Sequence, residues 1–136
     1  MRLLAVLLLA PALLVGCGDD DDGDQAGVEA EYDITGSWSG ELRQKGLDDF
    51  RVDATIGSLD DPSANTVRYT GIDCGGNWTF VKREGSAFLF REVIDRGAGG
   101  DCKGKGTVTL TPFSADGVDY NFRGGGVESA GVLKRQ

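Results

Sequence analysis

The chain has no histidine among its 136 residues. That removes the commonest general base, the commonest metal ligand and every Ser/His or Cys/His nucleophile pair, so triad hydrolases are excluded. It also lacks an apolar run long enough to cross a bilayer. The longest, Leu3 to Val15, covers about 20 Å as a helix against a hydrocarbon core of about 30 Å, and Pro11 interrupts it. From Ile34 onward no window repeats apolar residues at i, i+3, i+4 and i+7, so no amphipathic helix is expected. Cysteine is scarce at three residues, and without histidine these make a poor zinc set. Phosphate loops are missing as well. Gly97 to Gly100 and Gly124 to Gly126 precede neither a helix pattern nor a Lys-Ser/Thr signature, and read as turns.

What is present begins with an address. Arg2, the apolar stretch to Val15 and the small Gly16 before Cys17 have the order of a secretory signal. Leu14-Val15-Gly16-Cys17 resembles the lipobox of bacterial lipoproteins. The resemblance implies a signal peptide over 1–16, a diacylglycerol thioether and further acylation, such as palmitate, at Cys17, and cleavage before that residue. Several acyl chains on one residue exceed the single-chain threshold for stable anchoring. The expected location is therefore a lipid anchor in the cell membrane with the protein on its extracytoplasmic face.

Residues 18 to 33 carry eight acids and no cation, whereas 34 to 136 hold 13 cations and 14 anions. The low pI belongs to this stretch, and its like charges keep it solvated and extended, so 17–33 reads as an acylated flexible tether. A calcium loop fits badly. With Gly23 at loop position 6, Asp20, Asp22 and Glu29 fall correctly, but position 1 becomes Gly18, which has no side chain to ligate. No metal or cofactor is expected.

The remainder, 34–136, alternates apolar and polar residues in short runs separated by Gly or Asp, which predicts eight strands. They are 36 to 45, 49 to 58, 65 to 72, 76 to 83, 86 to 95, 105 to 112, 117 to 123 and 126 to 134. Tight connections make successive strands antiparallel neighbours, and closure of the meander removes two exposed edges. The expected fold is an all-β, eight-stranded up-and-down barrel, with a two-sheet sandwich as the alternative. Around Glu84-Gly85-Ser86, a three-residue turn sets Phe80 against Phe90 and Trp78 against Glu92.

With Cys17 acylated, Cys74 and Cys102 form an even pair outside the cytoplasm, which reads as a disulfide. Glu92 shares parity with Phe88, Phe90 and Ile94 and is expected to point inward. There it needs a donor: Lys82, a tyrosine hydroxyl or a backbone amide. Glu92, Trp78, Trp38 and Tyr120 are the candidate ligand-binding residues. Glycosidase chemistry would need a second inward carboxylate, and none is visible, so no enzyme activity is expected. Basic residues alternate with acids along the strands and give no footprint for nucleic acid.

Gly36-x-Trp38-x-Gly40, Cys74-Gly75-Gly76, Phe90-Arg91-Glu92-x-Ile94, Cys102, Gly106-Thr107-Val108-Thr109-Leu110, Tyr120 and Gly131-Val132-Leu133 together resemble a small extracytoplasmic β-domain. That domain occurs in actinobacterial lipoproteins and at the extracellular C-terminal end of some of their transmembrane Ser/Thr kinases. Trp78 departs from the smaller aliphatic residue expected there. The resemblance implies cell-surface sensing or binding. The opening Gly-x-Trp also resembles the first strand of lipocalin-like barrels. Two readings follow: a non-catalytic binding or sensing module for a small apolar or amphipathic ligand, or an envelope structural or protein-interaction module with a filled core.

Overall fold

A computed structural model describes residues 31–136; the expected signal peptide, the expected lipidation site Cys17 and the expected tether as far as residue 30 lie outside the described residues. Eight strands follow one another: β1 (Gly36–Gln44), β2 (Phe50–Ile56), β3 (Asn65–Thr70), β4 (Cys74–Glu84), β5 (Ala87–Arg96), β6 (Lys105–Ser114), β7 (Gly117–Gly124) and β8 (Val127–Arg135). Each pairs antiparallel with the next, and β8 returns to β1, so the sheet closes into a barrel rather than a sandwich. The unit Glu31–Gln136 carries every strand pairing among the described residues, a buried core and a disulfide. It therefore has what it needs to fold without residues 1–30.

Alternation decides what lies inside. Phe50, Val52, Ala54 and Ile56 of β2, Val67 and Tyr69 of β3, and Phe88, Phe90, Glu92 and Ile94 of β5 are all buried, while the residues alternating with them are exposed or half-buried. At the β1–β8 seam two inward positions are glycine, and neighbouring backbone takes the space. A Cβ on Gly40 would stand 2.2 Å from the Val132 carbonyl oxygen and 2.9 Å from Leu133; one on Gly131 would stand 2.2 Å from the Glu41 carbonyl oxygen and 2.9 Å from Leu42. Each leucine thus occupies the room its facing glycine leaves.

Three expectations are corrected. The β4–β5 turn has two residues, Gly85-Ser86, between the Glu84 and Ala87 partners, with Gly85 at φ +60° as the first central position of a primed hairpin turn favours. A bulge between Phe80 and Lys82 then shifts the register by one, which restores the Phe80–Phe90 and Trp78–Glu92 pairs. The same bulge sends Lys82 outward, so it is exposed and not a donor to Glu92. Finally, β4 begins at Cys74 rather than at residue 76, and a further register shift falls between Gly75 and Gly76, where a Gly76 Cβ would lie 2.0 Å from the Val93 carbonyl oxygen.

The barrel has two unlike ends. At one, the chain enters through residues 31 to 35 and leaves at Gln136. Ile34 is buried there and accepts from Trp38 Nε1 at 2.9 Å, while the Arg135 guanidinium lies 4.3 Å over the Trp38 ring. Arg135 also donates to the carbonyls of Asp33 and Thr35 at 2.6 Å and of Ala115 at 3.1 Å, strapping the entering segment to the last strand. Nearby, buried Asn65 accepts from the amides of Gly57 and Ser58 at 2.9 and 3.0 Å and donates to the Trp78 carbonyl at 3.0 Å, so the long β2–β3 connection is pinned to β4. The opposite end carries the β1–β2, β3–β4, β5–β6 and β7–β8 loops.

Candidate functional site

Glu92 is the one charged residue buried in the barrel among the described residues, only 2% exposed. Strand β5 delivers it by parity, and its neighbours in register are Trp78 on β4 and Gly106 on β6. Trp78 Nε1 donates to Glu92 Oε2 at 2.8 Å, and the Tyr69 hydroxyl donates to the same oxygen. With that proton committed, the Tyr120 hydroxyl donates to Tyr69 across 2.8 Å. Strands β3, β4, β5 and β7 thus meet through side chains in the middle of the barrel. No buried side-chain nitrogen or oxygen among the described residues lacks a partner, which is what keeps such a network from costing more than an apolar core.

The electrostatics follow from burial. Loss of water raises the Glu92 carboxyl above its ordinary value, and the Tyr69 and Trp78 donors pull it part of the way back. Burial likewise pushes both phenols well above 10, so Tyr69 and Tyr120 are proton donors in a hydrogen-bond chain and not phenolates.

Of the four sequence-predicted ligand residues, Trp78, Glu92 and Tyr120 come together; the Trp78 and Tyr120 ring centroids are 6.3 Å apart. Trp38 lies at the other end, bonded to Ile34. Tyr69 was not singled out by sequence, although it shares parity with Val67 on its strand. Its meeting with Glu92 reaches across the intervening β4, a relation that patterning within a single strand does not encode.

The space beside this cluster is small. A cavity of about 20 Å³ lies between Glu92, Tyr69, Tyr120, Phe50, Phe122 and Cys102, enough for about one water. Elsewhere Trp38, Trp78, Phe90 and Leu110 fill the interior with no exposed surface above 1%. Gly106 contributes by omission, since a Cβ there would lie 2.1 Å from the Phe122 ring that closes the mouth.

The lid over the cavity is covalently held. Cys74 at the start of β4 is bonded to Cys102 in the β5–β6 loop, 28 residues later. Gly99 and Cys102 exchange backbone hydrogen bonds of 2.7 and 3.0 Å, and Gly97, Gly99 and Gly100 all have positive φ, which makes the loop a compact knot. The disulfide expected from the sequence is therefore present.

Among the described residues no group of three acidic or thiol side chains could hold a metal ion, and no helix is long and apolar enough to cross a membrane. No family model, curated protein or solved structure matches the chain.

Proposed function

We propose that this chain is an extracytoplasmic lipoprotein, anchored through acylated Cys17, whose barrel is a non-catalytic interaction module that meets its partner at the loop end. The observation that carries this reading is the interior itself: beside its polar cluster it has room for about one water, so recognition falls to the outside. Topology supports the choice of end. The chain enters the barrel beside its C-terminus, so the β1–β2, β3–β4, β5–β6 and β7–β8 loops lie at the end opposite the point of attachment. The disulfide and the Glu92 network give that end the rigidity a recognition surface needs.

Two experiments test it. Cys17→Ser is expected to abolish the acyl mass increment and to move the protein from the membrane fraction to the soluble one; unchanged partition would remove the anchor. Photo-crosslinking residues placed at Leu47 and Ile72 are expected to trap a defined envelope protein in intact cells, whereas placed at Gly85 and Ala115, by the tether, they are not. Equal or absent adducts from both ends would contradict the proposal.

A further inference from the structure

The loop end carries a groove of about 560 Å³ whose walls combine apolar and acidic side chains and contain no cation. Leu47 and Ile72 are half-buried and Phe50 forms the floor; Asp48, Asp49 and Asp101 stand exposed around them. None of the three aspartates takes part in an ion pair or side-chain hydrogen bond among the described residues. Lys103, at the adjoining rim, has its ammonium held by the Gly100 carbonyl at 2.9 Å. Phe50, Ile72 and Asp101 also line the cavity over Glu92, so the groove runs onto the mouth above a buried carboxyl.

We infer that this groove docks a segment of a partner protein in which lysine or arginine alternates with apolar residues. This rests on the interaction reading above and names the chemistry of its partner. Charge complementarity selects the occupant, because three carboxylates that form no ion pair among the described residues repel an acidic segment and attract a basic one, while Leu47, Ile72 and Phe50 offer an apolar strip that a purely polar cation leaves wet. The chain's own tether is unsuited: residues 18 to 33 carry eight acids and no cation, and they join the barrel at the opposite end. The larger groove across β7, β8 and β1 makes no comparable choice, since Arg43 and Lys134 line it together with Glu41, Asp49 and Asp119.

The test is amide-resolved NMR titration of the chain from Gly18 onward, which keeps the tether and the complete barrel unit. The probe is a blocked Lys-Leu-Lys-Leu-Lys-Leu peptide, compared with its Glu-Leu and Lys-Ser counterparts and with n-butylammonium. Saturable shifts are expected at residues 46 to 49, 71, 72 and 101. Three exposed charge pairs make the Asp48→Asn, Asp49→Asn, Asp101→Asn triple variant about tenfold weaker. The Lys-Ser peptide is expected to bind more weakly, and the Glu-Leu peptide not at all. Shifts confined to 18–33, or affinity unchanged in the triple variant, would overturn the inference; so would equal shifts and affinity from n-butylammonium, which would make the ligand a small cation. If the peptide fails while Leu47 and Ile72 still crosslink an envelope protein, the inference falls and the interaction reading stands. If the crosslinks fail as well, both fall.

Discussion

Trp78 and Glu92 face each other across β4 and β5, and the indole Nε1–H of the first donates to Oε2 of the second at 2.8 Å. The bond explains why a tryptophan stands where a smaller aliphatic residue would fill space: its ring packs 5.7 Å from Phe90 while its polar edge satisfies a carboxyl that has left water. Removing that donor leaves Tyr69 alone on Oε2. In Trp78→Phe the Glu92 carboxyl is expected to titrate higher than in the wild type and the barrel to lose about 1–3 kcal/mol. Carboxyl NMR titration reads the first and chemical denaturation the second; an unmoved titration would contradict the assignment.

Burial holds Glu92 above the ordinary glutamate value of 4.5, so between that value and its folded value the folded chain keeps a proton that the unfolded chain has released. Its contribution is greatest below the unfolded value and declines as pH rises through the folded one. Asp33, Asp53, Asp61 and Glu128 run the other way, since hydrogen bonds, joined by nearby arginines for all but Asp61, lower them and their contributions are lost as pH falls. Comparison with Glu92→Gln isolates the first effect. The variant is expected to gain on the wild type as pH rises from about 4.5, measured by denaturation at each pH. A pH-independent difference would mean that Glu92 titrates normally.

The Cys74–Cys102 bond closes a segment of 28 residues, for which the chain-entropy model gives about 3.5 kcal/mol. Reduction, or Cys74→Ala with Cys102→Ala, is expected to lower stability by about that amount and to accelerate amide exchange of Gly99 and Cys102 most. Uniform acceleration across all strands would instead mean that the bond holds the whole barrel and not its lid.

At the seam, Gly131→Ala would drive a methyl group into the Glu41 carbonyl and Leu42. A cost of about 1–3 kcal/mol is expected. Gly104→Ala, with nothing within 4 Å and no positive φ, is the control and should stay within about 0.5 kcal/mol. Equal costs would remove close approach as the reason for the seam glycines.

Much of this architecture is legible in the sequence because alternation has a strict period of two. Phe88, Phe90 and Ile94 place Glu92 inside without any knowledge of its neighbours, and eight such runs with short connections imply the meander. What resists reading is whatever depends on irregularity or closure. The bulge after Phe80 reverses the facing of Lys82, and no residue type announces it. The register shift between Gly75 and Gly76, where the Val93 carbonyl comes too close for a Cβ, extends β4 back to Cys74 with no alternation to show it. Tyr69 on β3 reaches Glu92 on β5 over the intervening β4, a contact between residues 23 apart that no single strand's alternation contains. The volume left inside is a sum over all side chains at once, and patterning does not carry it.

That volume decides between a carrier and an interaction module, and one titration measures it most directly. Trp38 and Trp78 are 1% and 0% exposed, and both report on the interior. With the chain from Gly18 onward folded and oxidised, a fluorescent fatty-acid probe and lipid extracts are expected to produce no saturable quenching of either tryptophan. Saturable quenching that disappears in Trp78→Phe would show an accessible cavity beside Glu92, and would contradict the account of a filled barrel that recognises its partner from outside.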